Sequence, residues 1–433
     1  MWSDTTFAGE RIAVVGLGRN GLPAARALMA MGADVVAWDD RAAARDAAIG
    51  VVLAEPDFSR IDTLVLSPGI PHTLPAPHPM AAAASAAGVA IVSDTEMLFR
   101  ATRRNRSNAK FVGITGTNGK STTTALLAHI FEQAGLNVSA GGNLGTAALS
   151  LSPDTELYVL EMSSYMLERL QTLRFDAAAM LNLSPDHLDR HGDMAGYAAV
   201  KRAIFARQDE RDHAVVGIDD VGSREMAGCL RDQPALVTAI SGDDRVEGLA
   251  RSVALHGSHN AQNASAAVAV ARGFDVDDAM IERAVASFVG LPHRQELVAT
   301  VDGVAFVNDS KATNAASAAT ALATFRRVVW IAGGVAKAGG ITALAPLFER
   351  VACAVLIGQD ADALGQTLSA HDVPFEIAGT LDRAVQLAFK AAMECGADTV
   401  LLSPACASFD QFSGFEARGD AFRAAVAALG GAR

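Results

Sequence analysis

Lys110-Phe111-Val112-Gly113-Ile114-Thr115-Gly116-Thr117-Asn118-Gly119-Lys120-Ser121-Thr122-Thr123 is the stretch on which the reading of the fold turns. Lys110–Thr115 is an apolar run of strand length, and a helical stretch follows Gly119. The loop between them ends in Gly119-Lys120-Ser121, as a P-loop does. In such a loop the backbone of Gly116, Thr117, Asn118 and Gly119 cradles phosphates, Lys120 reaches the outer ones, and Ser121, with Thr122 beside it, can ligate Mg²⁺. The strict motif has glycine five positions before Gly119, where this chain has Ile114; glycines stand at 113 and 116 instead. The loop is therefore a variant, and a glycine turn capped by serine is the alternative.

A second strand–loop–helix unit opens the chain. Arg11–Val15 runs into Gly16-Leu17-Gly18-Arg19-Asn20-Gly21, a G-x-G-x-x-G pattern, and Asp39-Asp40 closes the next strand. The glycines let a diphosphate approach a helix N-terminus, and an acid about 20 residues on suits a ribose hydroxyl. NAD, a UDP-type ligand and a bare βα turn all fit. Ser67-Pro68-Gly69-Ile70 follows a later strand, either as a ligand contact or as a type II turn. A dehydrogenase needs one such loop and a plain ATPase does not need the first, so two loops argue for two phosphate-bearing ligands.

Short Val/Ile-rich runs alternate with Ala-rich helical stretches along the whole chain: Asp34–Trp38, Thr63–Ser67, Ala90–Ser93, Leu157–Glu161, Ala178–Leu183, Ala214–Ile218, Val304–Asp309, Val328–Ala332, Ala354–Gly358 and Thr399–Ser403. This predicts an α/β protein with parallel sheets. Arg100–Lys110 is polar and basic and reads as a linker; a second break lies at Gly290-Leu291-Pro292. The expected domains are 1–105, 106–291 and 292–433.

The 433 residues carry a net charge of -12, which argues against a general nucleic-acid binder. Four unpaired-looking cysteines, Cys229, Cys353, Cys395 and Cys406, read as reduced thiols. Met1–Glu10 lacks a signal-peptide pattern, and no apolar run is long enough to span a membrane. A cytoplasmic monomer acting on small molecules, with no nucleic-acid or membrane partner, is the expectation.

Glu161 ends an apolar strand and is placed to hold Mg²⁺; a helix-start acid is the alternative. His187 follows another strand end and reads equally as structural or as a ligand. Helical spacing sets Lys201 on one face with Tyr197 and Phe205, where a lysine is costly unless paired, modified or snorkelling.

GITGTNGKST (113–122), VLEMSS (159–164), NLSPDHLDRHG (182–192), GSHNAQN (257–263), GLPHR (290–294), NDSKATN (308–314) and SPACASFDQF (403–412) follow in this order. The series resembles the Mur ligase family of peptidoglycan synthesis, and NDSKATN with SPACASFDQF resembles its D-glutamate-adding branch. The resemblance implies a Rossmann-like domain for UDP, a central P-loop ATPase domain and a C-terminal Rossmann-like domain that closes on the site. It implies ATP and two Mg²⁺ ions, with UDP-N-acetylmuramoyl-L-alanine and D-glutamate as substrates. It assigns Lys120, Asn260, Asn263, Arg294, Asp309 and Lys311 to ATP, and Ser121, Glu161, His187 and a carbamylated Lys201 to the metals. Catalysis would fall to Lys120, His187, Lys201, Arg294 and Lys311. Gly18, Arg19, Asn20, Gly21, Asp40, Arg41, Ser67, Asn143 and His187 would meet the UDP substrate; Thr313, Lys337, Ser408 and Phe415 would meet the amino acid. Val335-Ala336 stands where the family leads one to expect Asp-Gly, and Asp40 where a relative has Thr. Another amino-acid or folate ligase of the same type, an NAD dehydrogenase and a nucleotide-diphosphate sensor are the rival readings.

Overall fold

The computed structural model describes residues 2–431 except Leu144, Asp232, Gln233, Val253, His256 and Ala338. It contains three sheets. The first holds β1 (Arg11–Val15), β2 (Asp34–Trp38), β3 (Thr63–Leu66) and β4 (Ala90–Val92), all parallel in the order β2-β1-β3-β4. The second holds β5 (Lys110–Thr115), β6 (Val138–Gly142), β7 (Leu157–Glu161), β8 (Ala177–Met180), β9 (His213–Gly217) and β10 (Leu236–Ile240), parallel in the order β10-β9-β8-β5-β7-β6. The third holds β11 (Glu296–Val301), β12 (Val304–Asn308), β13 (Val328–Gly333), β14 (Val351–Ile357), β15 (Phe375–Gly379) and β16 (Thr399–Leu402), in the order β11-β12-β16-β13-β14-β15. Among these strands only β11 runs antiparallel to its neighbour in the described residues, joined to β12 through Asp302-Gly303, both at positive φ.

The α/β expectation holds, and the central strands show why. Every residue of β7 and β8 is buried, as a parallel sheet covered on both faces requires. In the third sheet alternate residues split between two cores: Val328, Trp330 and Ala332 face one, Val329 and Ile331 the other. The first two sheets each reverse their strand order beside a glycine loop: β1 lies between β2 and β3, and β5 between β8 and β7. Ligands of open α/β sheets gather at such switch points.

The chain forms two compact units. Met1–Arg251 with Ser258–Ser287 contains the first two sheets, and Ser252–Gly257 with Phe288–Arg433 contains the third. The expected linker at Arg100–Lys110 is corrected. A helix, Asp94–Arg104, runs through its first half, capped by the Ser93 hydroxyl on the Glu96 N–H. Its polar sequence hides a buried anchor. Glu96 is fully buried and accepts the N–H groups of Gln171, Thr172 and Leu173 at 3.1, 2.8 and 3.0 Å, while Arg100 donates to it at 3.1 Å. That carboxylate ties the helix after the first sheet to the loop before β8. Arg169, also buried, donates to the carbonyls of Leu66, Ser67 and Ile70, and burial lowers its pKa to about 10. These groups, with one apolar cluster running from Phe7 through Phe111 to Ala235, make the first two sheets one unit.

Burial opposes ionised Glu96, but the hydrogen bonds from Thr172, Leu173 and Gln171 outweigh it and hold its pKa below the ordinary value. A lowered pKa stabilises the fold above the unfolded value, and that contribution is lost as pH falls through the folded value. Glu96→Ala should therefore cost about 3 kcal/mol at neutral pH, since it strands several buried donors. In urea unfolding, the gap between parent and variant should narrow as the pH drops through the carboxylate range.

Candidate functional site

The loop after β5 is shaped by neighbours from three elements. Gly119 has φ +83, and a Cβ there would meet Asn263 Oδ1 at 2.1 Å. Asn263 is buried and donates to Asn260 Oδ1 at 3.0 Å, so both asparagines of GSHNAQN stand under the loop. Asn182, after β8, accepts the Asn118 N–H at 2.8 Å. Gly113 serves packing instead: its absent Cβ leaves room for the Phe175 ring. Ser121 Oγ donates to Glu161 Oε2 at 2.6 Å, and Asn143 Nδ2 donates to Glu161 Oε1 at 2.6 Å. Glu161 is the last residue of β7 and is 2% exposed, which excludes the helix-start reading. Mg²⁺ takes oxygen ligands and keeps several waters, and the Ser121–Glu161 pair at the foot of the loop is an oxygen-donor set that fits it.

Lys201 is 1% exposed, so it does not snorkel. It shares its buried face with Tyr197 and Phe205, although the α-helix ends at Arg202 and Phe205 lies on a following 3₁₀ turn. Its Nζ donates to the Gly116 carbonyl at 2.8 Å. Lys120 Nζ donates to the same oxygen at 2.9 Å, and to Thr117 O at 2.8 Å. Two ammonium groups on one carbonyl oxygen repel, and the buried one yields. Burial, then the Lys120 charge, push the Lys201 amine well below the ordinary lysine value. The site thus holds a neutral-leaning amine beside a charged one. As an ammonium Lys201 cannot ligate a cation; as a carbamate it could. His187 sits nearby, at φ +51, in a segment that meets the loop where Ser184 N–H donates to Thr117 Oγ1 at 3.1 Å.

The first glycine loop borders a cavity of about 490 Å³ lined by Gly18, Arg19, Asn20, Asp40, Arg41, Ser67 and Asn143, among others. The structure thus brings together the expected substrate residues except His187, with Gly21 packed against the Gly16 carbonyl behind. Ser67–Ile70 is a turn, Ile70 N–H donating to Ser67 O at 3.0 Å. It is not type II, because Gly69 lacks the positive φ that turn requires. Asp39 is spent on the loop itself: Oδ2 accepts the Leu17 N–H at 2.7 Å, and Oδ1 the Arg41 N–H at 2.9 Å and its Nε at 3.1 Å. Asp40 faces the cavity and pairs with His78 Nε2 at 2.8 Å, a residue the sequence did not single out. Asn20 reaches Asp94 Oδ2 at 2.9 Å and lies 3.5 Å from Gly142 O, the residue before Asn143.

In the second unit, Lys311 Nζ lies 4.0 Å over the Phe415 ring, and Ser310 Oγ donates to Phe415 O at 2.8 Å. Asp309 accepts from Ser403 Oγ at 2.8 Å and from the Gln295 N–H at 3.3 Å, and burial raises its pKa to about 7. Arg294 is half-buried beside it in sequence with Gln295. Thr313 N–H donates to Lys311 O, and Ser408 is buried. Lys337 is exposed; the Val335-Ala336 segment before it bridges Ala407 and donates from Ala336 to Asp360. Arg418, missed in the sequence, is the clasp. Buried at 1% exposure, it donates to Ser310 Oγ and O and to Cys406 O, at 3.0, 2.9 and 3.1 Å. Only its place six residues past SPACASFDQF could have flagged it.

Residues 114–271 match the Mur ligase middle domain, and residues 293–406 match the Mur ligase, glutamate ligase domain. The UDP-N-acetylmuramoylalanine–D-glutamate ligase of Agrobacterium fabrum is 46% identical over 99% of this chain and 97% of its own. That of Rhodospirillum rubrum is 47% identical over 98% and 95%. Among solved structures, the UDP-N-acetylmuramate-alanine ligase MurC of Thermotoga maritima superposes with a TM-score of 0.59 at 17% identity, covering 98% of this chain and all of that one. MurF of Acinetobacter baumannii gives 0.55 at 18% identity over 72% and 78%. These two speak for the fold, and the sequence relatives and matched domains go further: the chain belongs to the Mur ligase family.

Proposed function

We propose that this chain is an ATP-dependent ligase that joins D-glutamate to UDP-N-acetylmuramoyl-L-alanine, giving ADP and phosphate. The observation that carries it is the pairing of a cavity of about 490 Å³ at one glycine loop with a phosphate loop at the next, in one compact unit. The substrates follow from relatives 46% and 47% identical over nearly the whole chain that carry that name.

Amide formation from a free carboxylate is uphill in water, and an acyl phosphate makes it feasible. The acceptor carboxylate oxygen bonds to the γ-phosphorus, and the bond from that phosphorus to ADP breaks. The neutral amine of glutamate then bonds to the acyl carbon, phosphate leaves, and the nitrogen gives up one proton to base or solvent and keeps the other as the amide N–H. In this reading Lys120 neutralises charge developing on the transferring phosphoryl group. Ser121 and Glu161 would hold one Mg²⁺, and an ion there would supply Lewis-acid neutralisation of the phosphates. A second Mg²⁺ belongs near Lys201 and His187. Lys201 is suited to carbamylation: its neutral amine adds to CO₂, releases one proton and becomes an anionic oxygen ligand. Asn260 and Asn263 take the nucleotide side of the loop. In the second unit, Arg294, Asp309 and Lys311 are assigned to the nucleotide, and Thr313, Lys337, Ser408 and Phe415 to glutamate. The separate phosphate loop supports UDP over NAD at the first glycine loop, because a dehydrogenase needs one such loop and this chain has two.

Phosphate release should require the UDP-muramoyl acceptor and, in an amino-acid panel, D-glutamate. Release with another amino acid alone would reassign the chain within the family. Lys120→Ala should lower turnover by about 10²–10³-fold in a folded protein. Calorimetry should detect UDP binding and none for NAD. Lys201→Ala should lose most activity and regain part of it with short-chain carboxylic acids, which refill the anion's place. Lys201→Arg should not be rescued, because its cation stays there. Full activity of Lys201→Ala at low Mg²⁺ would rule the carbamate out.

A further inference from the structure

Arg169 is a buried cation that directs its hydrogen bonds to backbone carbonyls rather than to a carboxylate. It follows the short helix Ser164–Leu167, which begins just after Glu161. Nη1 donates to Leu66 O at 2.6 Å and to Ser67 O at 3.0 Å, Nη2 donates to Ile70 O, and Nε reaches His72 Nδ1 at 3.4 Å. Glu168 Oε1 lies 3.7 Å away, beyond hydrogen-bond reach, and makes its short contact with Arg190 at 2.6 Å instead. Arg190 also donates to the Ile70 carbonyl at 3.1 Å. Two guanidiniums and one carboxylate thus stand behind a single turn. With a pKa of about 10, Arg169 keeps its charge at neutral pH. Were stability the only requirement, an apolar side chain of similar size would serve as well or better.

That turn is a wall of the first cavity, lined by Ser67, Pro68, Gly69 and Ile70. It rests directly on the first glycine loop. Ser67 Oγ donates to Gly16 O at 2.6 Å, and a Cβ at Gly16 would meet Ile70 Cδ1 at 2.6 Å and Ser67 Cβ at 2.7 Å. A shift of the turn therefore moves Ile70 against Gly16. A guanidinium is a planar fork, so it fixes the relative places of the acceptors it holds. Arg169 holds both ends of the turn, the carbonyls of Leu66 and Ser67 at one and that of Ile70 at the other, in one rigid group. Its charge also screens those oxygens, which matters at a wall that faces an anionic ligand.

We propose that Arg169 is a positioning residue for the nucleotide-diphosphate ligand of the first cavity: from the segment after β7 it fixes the Ser67–Ile70 wall and, through Ser67 and Ile70, the glycine loop that receives the diphosphate. The inference rests on the reading of that cavity as the UDP site, and goes beyond it by assigning the shape of the site to a residue that does not line it. The stretch from Glu161 to Arg169 then has the acid assigned to Mg²⁺ at one end and the brace of the other ligand's wall at its other end. A ligand against the wall is felt by a segment it does not touch.

Arg169→Lys keeps the charge and loses the fork; Arg169→Met loses both. In each variant the Kd for UDP and the KM for the UDP-muramoyl substrate should rise about tenfold, the scale of one lost hydrogen bond to a charged group, while KM for ATP stays at the parent's value. A purely structural role would lower the melting temperature and leave the two ligands equally affected in the folded protein. Parent-like UDP affinity in folded Arg169→Lys overturns the proposal, because charge alone would then suffice, and so does an equal rise in KM for ATP. Where neither variant folds, hydrogen exchange of the parent decides. UDP should slow exchange in residues 163–170 as well as in residues 66–72, and protection confined to 66–72 overturns the proposal. A parent that binds no UDP defeats the reading of the cavity and the proposal with it; UDP binding indifferent to Arg169 defeats the proposal alone.

Discussion

Both oxygens of one buried carboxylate are already committed, and much of the first unit is arranged around that fact. Glu161 ends β7 with one oxygen on Ser121, at the start of the phosphate-loop helix, and the other on Asn143, just past β6. A buried carboxylate is tolerated only when its lone pairs are met. Meeting them here sets the register between the phosphate loop and the turn that borders the other cavity. Asn20, from the first glycine loop, reaches the residue before Asn143. The two loops that the sequence shows as separate motifs are thus held at a defined spacing by polar groups of a single sheet edge. Transfer between two bound ligands needs such spacing, since misplacement by about an ångström can cost two orders of magnitude in rate.

The same economy explains Lys201. Its ammonium and that of Lys120 converge on the Gly116 carbonyl, an arrangement that makes sense only if the two nitrogens do different work. Lys120 stands at the start of the helix that follows the loop and bonds the carbonyls of Gly116 and Thr117. Lys201, buried with its Nζ over the Tyr197 ring, is driven toward the neutral amine by burial and then by the Lys120 charge. Helical spacing in the sequence placed it on an apolar face, yet spacing alone could not separate a snorkelling side chain from a sealed one. The distinguishing fact is the loop carbonyl above it, supplied from far away in the chain.

What could be read from the sequence follows the same division. The central strands were legible because burial on both faces leaves an unbroken apolar run, as in β7 and β8. Edge strands were legible in the first sheet, as β2 and β4, but not in the two larger sheets: β6 ends in two glycines, and β10 and β15 are mostly exposed or half-buried. The antiparallel β11 was missed although Asp302-Gly303 between two apolar valines is a hairpin signal. The helix through Arg100 was hidden because its anchor, Glu96, finds its partners in residues 171–173. In the site, glycine loops and strand-end acids were visible as motifs. Side chains that work by reaching distant backbone, such as Arg169 and Arg418, carry no local pattern. Asp39 and Asp40 are adjacent and chemically alike, and only the fold tells which one closes the loop and which one faces the cavity.

Gly119 and Asn263 touch, but they are made at different times. On the ribosome the phosphate loop emerges with β5 and its helix long before Asn263 exists, and the chain must first synthesise the rest of the second sheet. Ser258–Ser287 then returns to the first unit after Ser252–Gly257 has gone to the second. Contacts this distant in sequence form late, because the intervening chain must be closed into a loop first. The nascent protein therefore passes through a stage in which all six strands of the second sheet have been made while the helix that packs on them beneath the phosphate loop has not. The phosphate loop gains its support only near the end of the first unit's synthesis, when the helix bearing Asn260 and Asn263 docks.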